Sequence, residues 1–442
     1  MGLVKTNSQG GALPRGYRLG KLGLGLVGSY LSYQVQNIFL GAAGRPQRKT
    51  NFHKTASRQL REEMGAMKGP VMKLGQLLSM QNGVLPEEAL QELASLQMQA
   101  PGMHASLACA QFKSALGKYP EEVFREFDSD PFAAASLGQV HRALTRRGEK
   151  VAVKIQYPGI KSAIENDLKL LRSAVLPAKL TGHVPAALLD EIQRGLLEET
   201  DYVHEADNLE FFRNGLSGLD YLAVPSPHRD LSTDRVLTMS YIEGEKLNDF
   251  LKRKPAQTLS NLVGARLVEI YETQIQWLKA VHADAHPGNF LFQPDGRIGL
   301  VDFGCVKGIS FDVLELRRCY DERTWQESEA AARHFLTMVY GKGVPYARAR
   351  KILPVLERFL DVVHPKNRTA DLMIGNPDPK QEVKRKEIQR EYLKQVLRDK
   401  LINPEFAFLG RSDMGLNHLL HELGAVVNYS EVLRRVAAAR AL

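Results

Sequence analysis

The residues able to do chemistry in this 442-residue chain are concentrated in one stretch. His282-Ala283-Asp284-Ala285-His286-Pro287-Gly288-Asn289 is followed by Asp302-Phe303-Gly304. The pattern is H-x-D-x-x-x-x-N and then D-F-G. Phosphoryl transfer needs few protein groups: one carboxylate to orient or deprotonate the acceptor, and an Asn and a second carboxylate to hold Mg²⁺ against the phosphates. Asp284 fits the first role; Asn289 and Asp302 fit the second.

The elements that must position them can be read around them. Asp295-Gly296 is a hairpin turn signal between the apolar run from Asn289 to Phe292 and Ile298-Gly299-Leu300-Val301. Asn289 and Asp302 then fall at the open ends of two paired short strands, within reach of one ion. Upstream, strand patterns occupy Gly138 to Ala143 and Lys150 to Tyr157, then Leu222 to Val224 and Arg235 to Ile242. Helical patterns occupy Arg61 to Gln81 (interrupted by Gly69-Pro70), Pro86 to Met98, Ile160 to Leu176, and Pro185 to about Phe212. From Asn248 to the catalytic loop, and from Phe311 onward, the pattern is helical. The charged stretch Lys380 to Lys400 reads as a solvated helix. This order predicts an α+β fold of two lobes, a small sheet lobe and a helical lobe.

The nucleotide needs further groups. Val151-Ala152-Val153-Lys154 resembles the V-A-I-K strand, with Lys154 on the α/β-phosphates; a lysine among alternating apolar residues can also be an edge-strand gatekeeper. Met239-Ser240-Tyr241-Ile242-Glu243-Gly244 is the hinge candidate, its backbone facing adenine, with Met239 and Tyr241 as its named contacts. The stretch before the Lys154 strand reads as a phosphate loop: Ala133, Ala134, Ala135, Ser136, Leu137, Gly138. Only Gly138 is a glycine, and alanine resists left-handed backbone, so the phosphates are held differently from those of a usual kinase. Two acid clusters, Glu198-Glu199-Thr200-Asp201 and Glu205-Ala206-Asp207, offer partners for Lys154, and spacing alone does not choose among them.

Composition bounds the rest. Charge and apolar content are globular, and the three cysteines have no metal or CxxC spacing. Formal net charge is +9. Residues 1–61 contain no acid but carry ten Lys and Arg, from Lys5 to Arg61. Such a segment suits a nucleic-acid arm, a transit peptide or a surface that meets anionic lipid. The apolar, Gly- and Tyr-rich stretch from Leu22 to Ala43 favours lipid or a protein partner over nucleic acid. Its polar residues argue against a spanning helix.

These motifs together resemble the UbiB family of atypical protein-kinase-like proteins, associated with ubiquinone and other prenyl-lipid metabolism. Lys73-Leu74-Gly75-Gln76 is similar to that family's K-x-G-Q signature. The alanines replace the glycine-rich loop. Glu199-Thr200-Asp201, followed by Glu205-Ala206 and Asn208, is similar to its E-x-D signature. The resemblance covers roughly residues 60–310. It implies that Lys73 and Gln76 lie on a helical extension over the nucleotide site, with Lys73 near Glu199 and Asp201, and that Glu205 partners Lys154. It also implies ATP or ADP with Mg²⁺ as cofactors and ATP hydrolysis as an activity.

The expected organisation is a basic, apolar segment over 1–58, a K-x-G-Q extension over 59–125, a sheet lobe with inserted helices over 126–243 and a helical catalytic lobe over 244–442. The expected activity is that of an atypical kinase or ATPase peripheral to a membrane, cytoplasmic or on the matrix side of the mitochondrial inner membrane. Its expected partners are an adenine nucleotide, an anionic membrane or prenyl-lipid precursor and lipid-biosynthesis proteins, with no nucleic acid. Two alternatives stand beside it: a small-molecule kinase of the aminoglycoside or choline phosphotransferase type, and a nucleotide-gated membrane-binding scaffold. The short run from Gly304 to the helix at Phe311, with no A-P-E, leaves little room for a peptide-binding platform.

Overall fold

The computed structural model describes residues 103–135, 137–175, 193–363, 373–374, 379–399, 401 and 403–440. The helices expected over 61–81 and 86–98, and the basic segment before them, lie outside the described residues. In chain order the described elements begin with α1 (Ala105–Leu116), α2 (Pro120–Val123), β1 (Glu126–Phe127), β2 (Ala133–Ala135), β3 (Gly138–Leu144) and β4 (Lys150–Gln156). They continue with α3 (Ile160–Val175), α4 (Tyr202–Gly215), β5 (Leu222–Ala223), β6 (Val236–Ser240), α5 (Leu247–Lys252), α6 (Gln257–Thr273) and β7 (Ala280–His282). Next come β8 (Phe290–Phe292), β9 (Ile298–Leu300), β10 (Val306–Gly308), α7 (Val313–Glu322), α8 (Glu329–Tyr340) and α9 (Tyr346–Val363). The chain ends with β11 (Met373–Ile374), α10 (Pro379–Arg398), α11 (Pro404–Glu422), β12 (Val427–Asn428) and α12 (Tyr429–Arg440).

The chain divides into two compact units. The first takes the residues up to 114, 129–141 and 154–200. In it β2 pairs antiparallel with the start of β3, placing Ala133 opposite Val140 and Ala135 opposite Gly138. Tyr157 then donates its amide to the Leu137 carbonyl (3.0 Å), and Gln156 donates its side-chain amide to the carbonyl of Thr200 (2.9 Å).

The second unit takes 115–128, 142–153 and 201–442. In it β1 pairs antiparallel with the end of β3, Glu126 opposite Leu144 and Phe127 opposite Ala143. The β3–β4 turn closes through the Thr145 amide and the Glu149 carbonyl (2.9 Å). The catalytic hairpin forms as the turn signal predicts: β8 and β9 pair antiparallel, Phe290 opposite Leu300, with Gly296 in the left-handed conformation that the turn requires. β5 adds to β9 in parallel. Behind them, α7, α8, α9 and α10 close on an apolar core that includes Trp325, Phe335, Ile352 and Leu356. The Trp325 and Phe335 rings stack with their centroids 4.7 Å apart.

Three expectations need correction, and the short run after Gly304 gains a strand. The alanines form a strand, not a loop: alanine accepts extended backbone without strain, and the ladder to Gly138–Val140 uses it. The single helix expected from Pro185 to Phe212 is interrupted, because Asp201 is the N-cap of α4; its Oδ1 accepts the amides of Val203 (3.0 Å) and His204 (3.4 Å). The stretch before the catalytic loop is not helical to its end. Gln274–Leu278 forms a wide turn, Lys279 turns left-handed and β7 follows. The backbone after Asp302-Phe303-Gly304 pairs straight back, β10 against β7 with Val306 opposite His282.

Candidate active site

The catalytic loop lies in the second unit, held between β7 and β8. His282 is buried, and its Nε2 hydrogen-bonds the carbonyl of Asp302. The H-x-D histidine therefore ties the loop to the Asp-Phe-Gly turn. Asn289 donates its Nδ2 to the carbonyl of Asp284 (2.8 Å) and lies 3.3 Å from Asp284 Oδ2. This fixes which end of the amide is which, and leaves Oδ1 of Asn289 as the end able to meet a cation. Asp302 Oδ1 accepts the amide of Gly304 (3.1 Å), which sets the carboxylate at the turn. One amide oxygen and one carboxylate are the hard oxygen donors that suit Mg²⁺, which takes one or two protein ligands and completes its shell with phosphates and water. Among the described residues no group of three or more His, Cys, Asp or Glu could hold a metal without such help.

Helix α4 supports the turn from behind. Asn208 donates Nδ2 to the carbonyl of Phe303 (3.0 Å), and the Phe303 amide approaches Glu205 Oε1 at 3.5 Å. Phe303 is fully buried, with ring centroids 5.1 Å from Phe212 and 5.4 Å from His282. Glu205, Asn208 and Phe212 recur every three or four residues, so one face of α4 grips the turn. Glu205 is 1% exposed.

The hinge candidate runs out of β6. Met239 is buried on that strand, and the Tyr241 amide donates to Lys150 O (3.1 Å). The next two amides, of Ile242 and Glu243, have no partner among the described residues and are the open donors of this segment. A Cβ on Gly244 would stand 2.8 Å from Leu291 Cβ, so the chain crosses β8 here only as glycine.

In the first unit, Lys154 is 6% exposed. A gatekeeper lysine stands exposed on a strand edge, which a buried side chain does not match. Ala133, Ala134, Ala135 and Gly138 are in the β2–β3 hairpin. Glu199 belongs to this unit as well, its amide donating to Gly195 O (3.0 Å). Ser136, Lys73 and Gln76 lie outside the described residues.

Sequence reasoning missed α11. Arg411 Nη2 meets Asp284 Oδ1 at 2.7 Å, with both side chains largely buried. Ser412 donates Oγ to the His282 carbonyl (2.9 Å). A Cβ on Gly415 would lie 2.3 Å from Ala285 O. Positions 411, 412 and 415 share one helical face. The Arg411-Ser412 and Gly415 pattern is the signal: small residues on the same helical face as an arginine mark a close backbone approach.

The model of the ABC1 atypical kinase-like domain matches residues 95–323. The chain belongs to this family. It is 35% identical over 280 residues to the protein ACTIVITY OF BC1 COMPLEX KINASE 8, chloroplastic, of Arabidopsis thaliana, an alignment covering 61% of this chain and 36% of that one. It is 35% identical over 299 residues to AarF domain-containing protein kinase 1 of Mus musculus, covering 66% and 56%. The ABC1 chain thus spans roughly a third to a half of these curated relatives. Among solved structures it is similar to the Rv3197–erythromycin complex of Mycobacterium tuberculosis, with a TM-score of 0.58 and 26% identity over 89% of this chain and 98% of that one. The fold is α+β and kinase-like, and the UbiB resemblance read from the motifs is the family found. This ABC1 chain has no helix, among its described residues, long and apolar enough to cross a membrane.

Proposed function

We propose that this chain binds an adenine nucleotide with Mg²⁺ and transfers its terminal phosphoryl group, to water or to a small acceptor, in support of prenyl-lipid metabolism at a membrane surface. The observation that carries the chemical part is the Asp284–Asn289–Asp302 constellation, in which the asparagine amide is oriented by the catalytic carboxylate's own backbone. Asn289 Oδ1 and the Asp302 carboxylate would hold the ion. Mg²⁺, when bound, neutralises charge on the phosphates. Asp284, held by Arg411, orients the attacking hydroxyl or water and accepts its proton. Lys154 would take the α/β-phosphates, ordered by Glu205, and the hinge amides would meet the base. The relatives' names, kinases in both cases, favour phosphoryl transfer.

A non-peptide acceptor is favoured by β10. After Gly304 the chain pairs at once with β7, and α7 begins at the Asp312 cap, so no long segment is left to cradle a peptide. The membrane part rests on the acid-free basic residues before 62 and on the family resemblance. The test is a coupled ATPase assay on the full chain, with and without anionic vesicles, beside a screen of small hydroxyl acceptors. Mg²⁺-dependent turnover raised by vesicles is the expected result. No thermal shift with Mg²⁺–ATP and no turnover under any condition would overturn the reading.

A further inference from the structure

The catalytic loop carries no lysine or arginine of its own: between His282 and Asn289 its only basic side chains are histidines. A cation reaches it from elsewhere. Lys246 follows the hinge directly, and its backbone is pinned by the bridge between Glu245 and Phe292 (Glu245 amide to Phe292 carbonyl 2.9 Å, the reverse bond 2.8 Å). That bridge seats it beside β8, the strand leading out of Asn289. Its Nζ donates to the carbonyl of Gly288, immediately before Asn289. It has no carboxylate at ion-pair distance among the described residues; the adjacent Glu245 is taken by Arg253. An ammonium has three donors, and Lys246 uses one of them on the protein.

This placement runs against local preference. Lysine occupies the N-cap of α5 with no side-chain capping bond, where Ser, Thr, Asp or Asn would satisfy free amides and where the helix dipole opposes a positive charge. Positions that break local rules without a structural gain tend to be functional ones.

We infer that Lys246 is a phosphate-binding residue, its ammonium meeting the terminal phosphates of the nucleotide from the catalytic-loop side. The inference rests on the nucleotide reading above and deepens it. It gives the catalytic loop a cation supplied by its own unit. The ligand chemistry is a nucleoside polyphosphate with its metal, and a ligand lacking phosphates should not sense the residue.

The experiment titrates the full chain and its Lys246→Met, Lys246→Gln and Lys246→Arg variants with Mg²⁺–ATP, Mg²⁺–ADP and adenosine, by calorimetry. Lys246→Met should weaken Mg²⁺–ATP about tenfold or more, Mg²⁺–ADP less, and adenosine by less than about twofold. Lys246→Arg should retain most of the affinity. Lys246→Gln keeps a donor for the Gly288 carbonyl but no charge, and should behave like Lys246→Met. If Lys246→Gln binds Mg²⁺–ATP like wild type, or if Lys246→Met weakens all three ligands alike, the residue only buttresses the loop and the inference is wrong. A wild-type chain that binds none of the three ligands overturns the nucleotide reading itself, a result distinct from either of those.

Discussion

Arg411 and Asp284 stand 127 residues apart in sequence and 2.7 Å apart in space. The contact brings a guanidinium from α11 onto the carboxylate that the proposed function assigns to the acceptor. A buried charge whose partner is removed is costly, more so than the intact pair is stabilising. Arg411→Ala should therefore lower stability by about 3 kcal/mol and reduce turnover, because Asp284 loses its fixed rotamer. Chemical denaturation of Arg411→Ala, Asp284→Ala and the double variant gives the coupling. If the two single losses simply add, the pair is not an energetic unit.

The metal and base roles separate by substitution. Asp302→Asn should abolish the Mg²⁺-dependent part of nucleotide binding, since a hard cation loses its only anionic protein ligand in the constellation. Asp284→Asn should leave binding nearly intact and lower turnover by about a hundredfold or more. Thermal shift with Mg²⁺–ATP, beside the ATPase rate, reads both. A full wild-type shift in Asp302→Asn would mean that the ion is held elsewhere.

Two glycines on α11 should respond to alanine with opposite signs. Gly415 has no room, since the new Cβ would lie 2.3 Å from the carbonyl of Ala285. Gly415→Ala should push on the catalytic loop, cost about 1–3 kcal/mol and cut turnover. Gly410 has open space around it, and Gly410→Ala should stabilise by about 0.5–1 kcal/mol through helix propensity. Melting curves of the two variants decide; equal shifts would contradict the packing described.

Acid should loosen the helical part of the second unit through Glu272. Burial pushes the Glu272 carboxyl up, but Arg317 (2.7 Å), Tyr429 and Gln276 outweigh it and hold the pKa below the ordinary value. A folded pKa below the unfolded one, about 4.3, contributes stability above that pH and loses it as pH falls through the folded value. Glu272→Gln should be less stable than wild type at pH 7, and that difference should shrink below about pH 4. A constant difference across the acid range would assign the titration to other groups.

The parts of the fold that could be read early are those with short-range signals. Asp295-Gly296 announces its hairpin, and the spacing from His282 to Asp302 announces the constellation, because turn chemistry and a fixed loop length are written locally. Asp201 as a cap was legible in principle and was overridden by the apolar periodicity on both sides of it. β7 and β10 are three residues each, too short for any alternation to register. Arg411 sits in an ordinary amphipathic helix and gains its meaning only from a contact 127 residues away. Lys246 reads as a helix-start lysine until the Gly288 carbonyl is beside it. Long-range pairing is where a single sequence is silent, and the least local contacts of this site are the ones that were missed.

Helix α4 has a consequence for control. To swing Phe303 away from its place would break the Asn208 bond to its carbonyl and separate its ring from those of Phe212 and His282. Exposing one phenyl and losing one hydrogen bond costs about 2–4.5 kcal/mol. A ligand flips such an equilibrium only through an affinity difference of that size between the two states. The Asp-Phe-Gly turn therefore resists becoming a toggle. On the proposed reading, control of this chain would fall to supply, through how much nucleotide is present and which acceptor is offered, with the turn already set before either arrives.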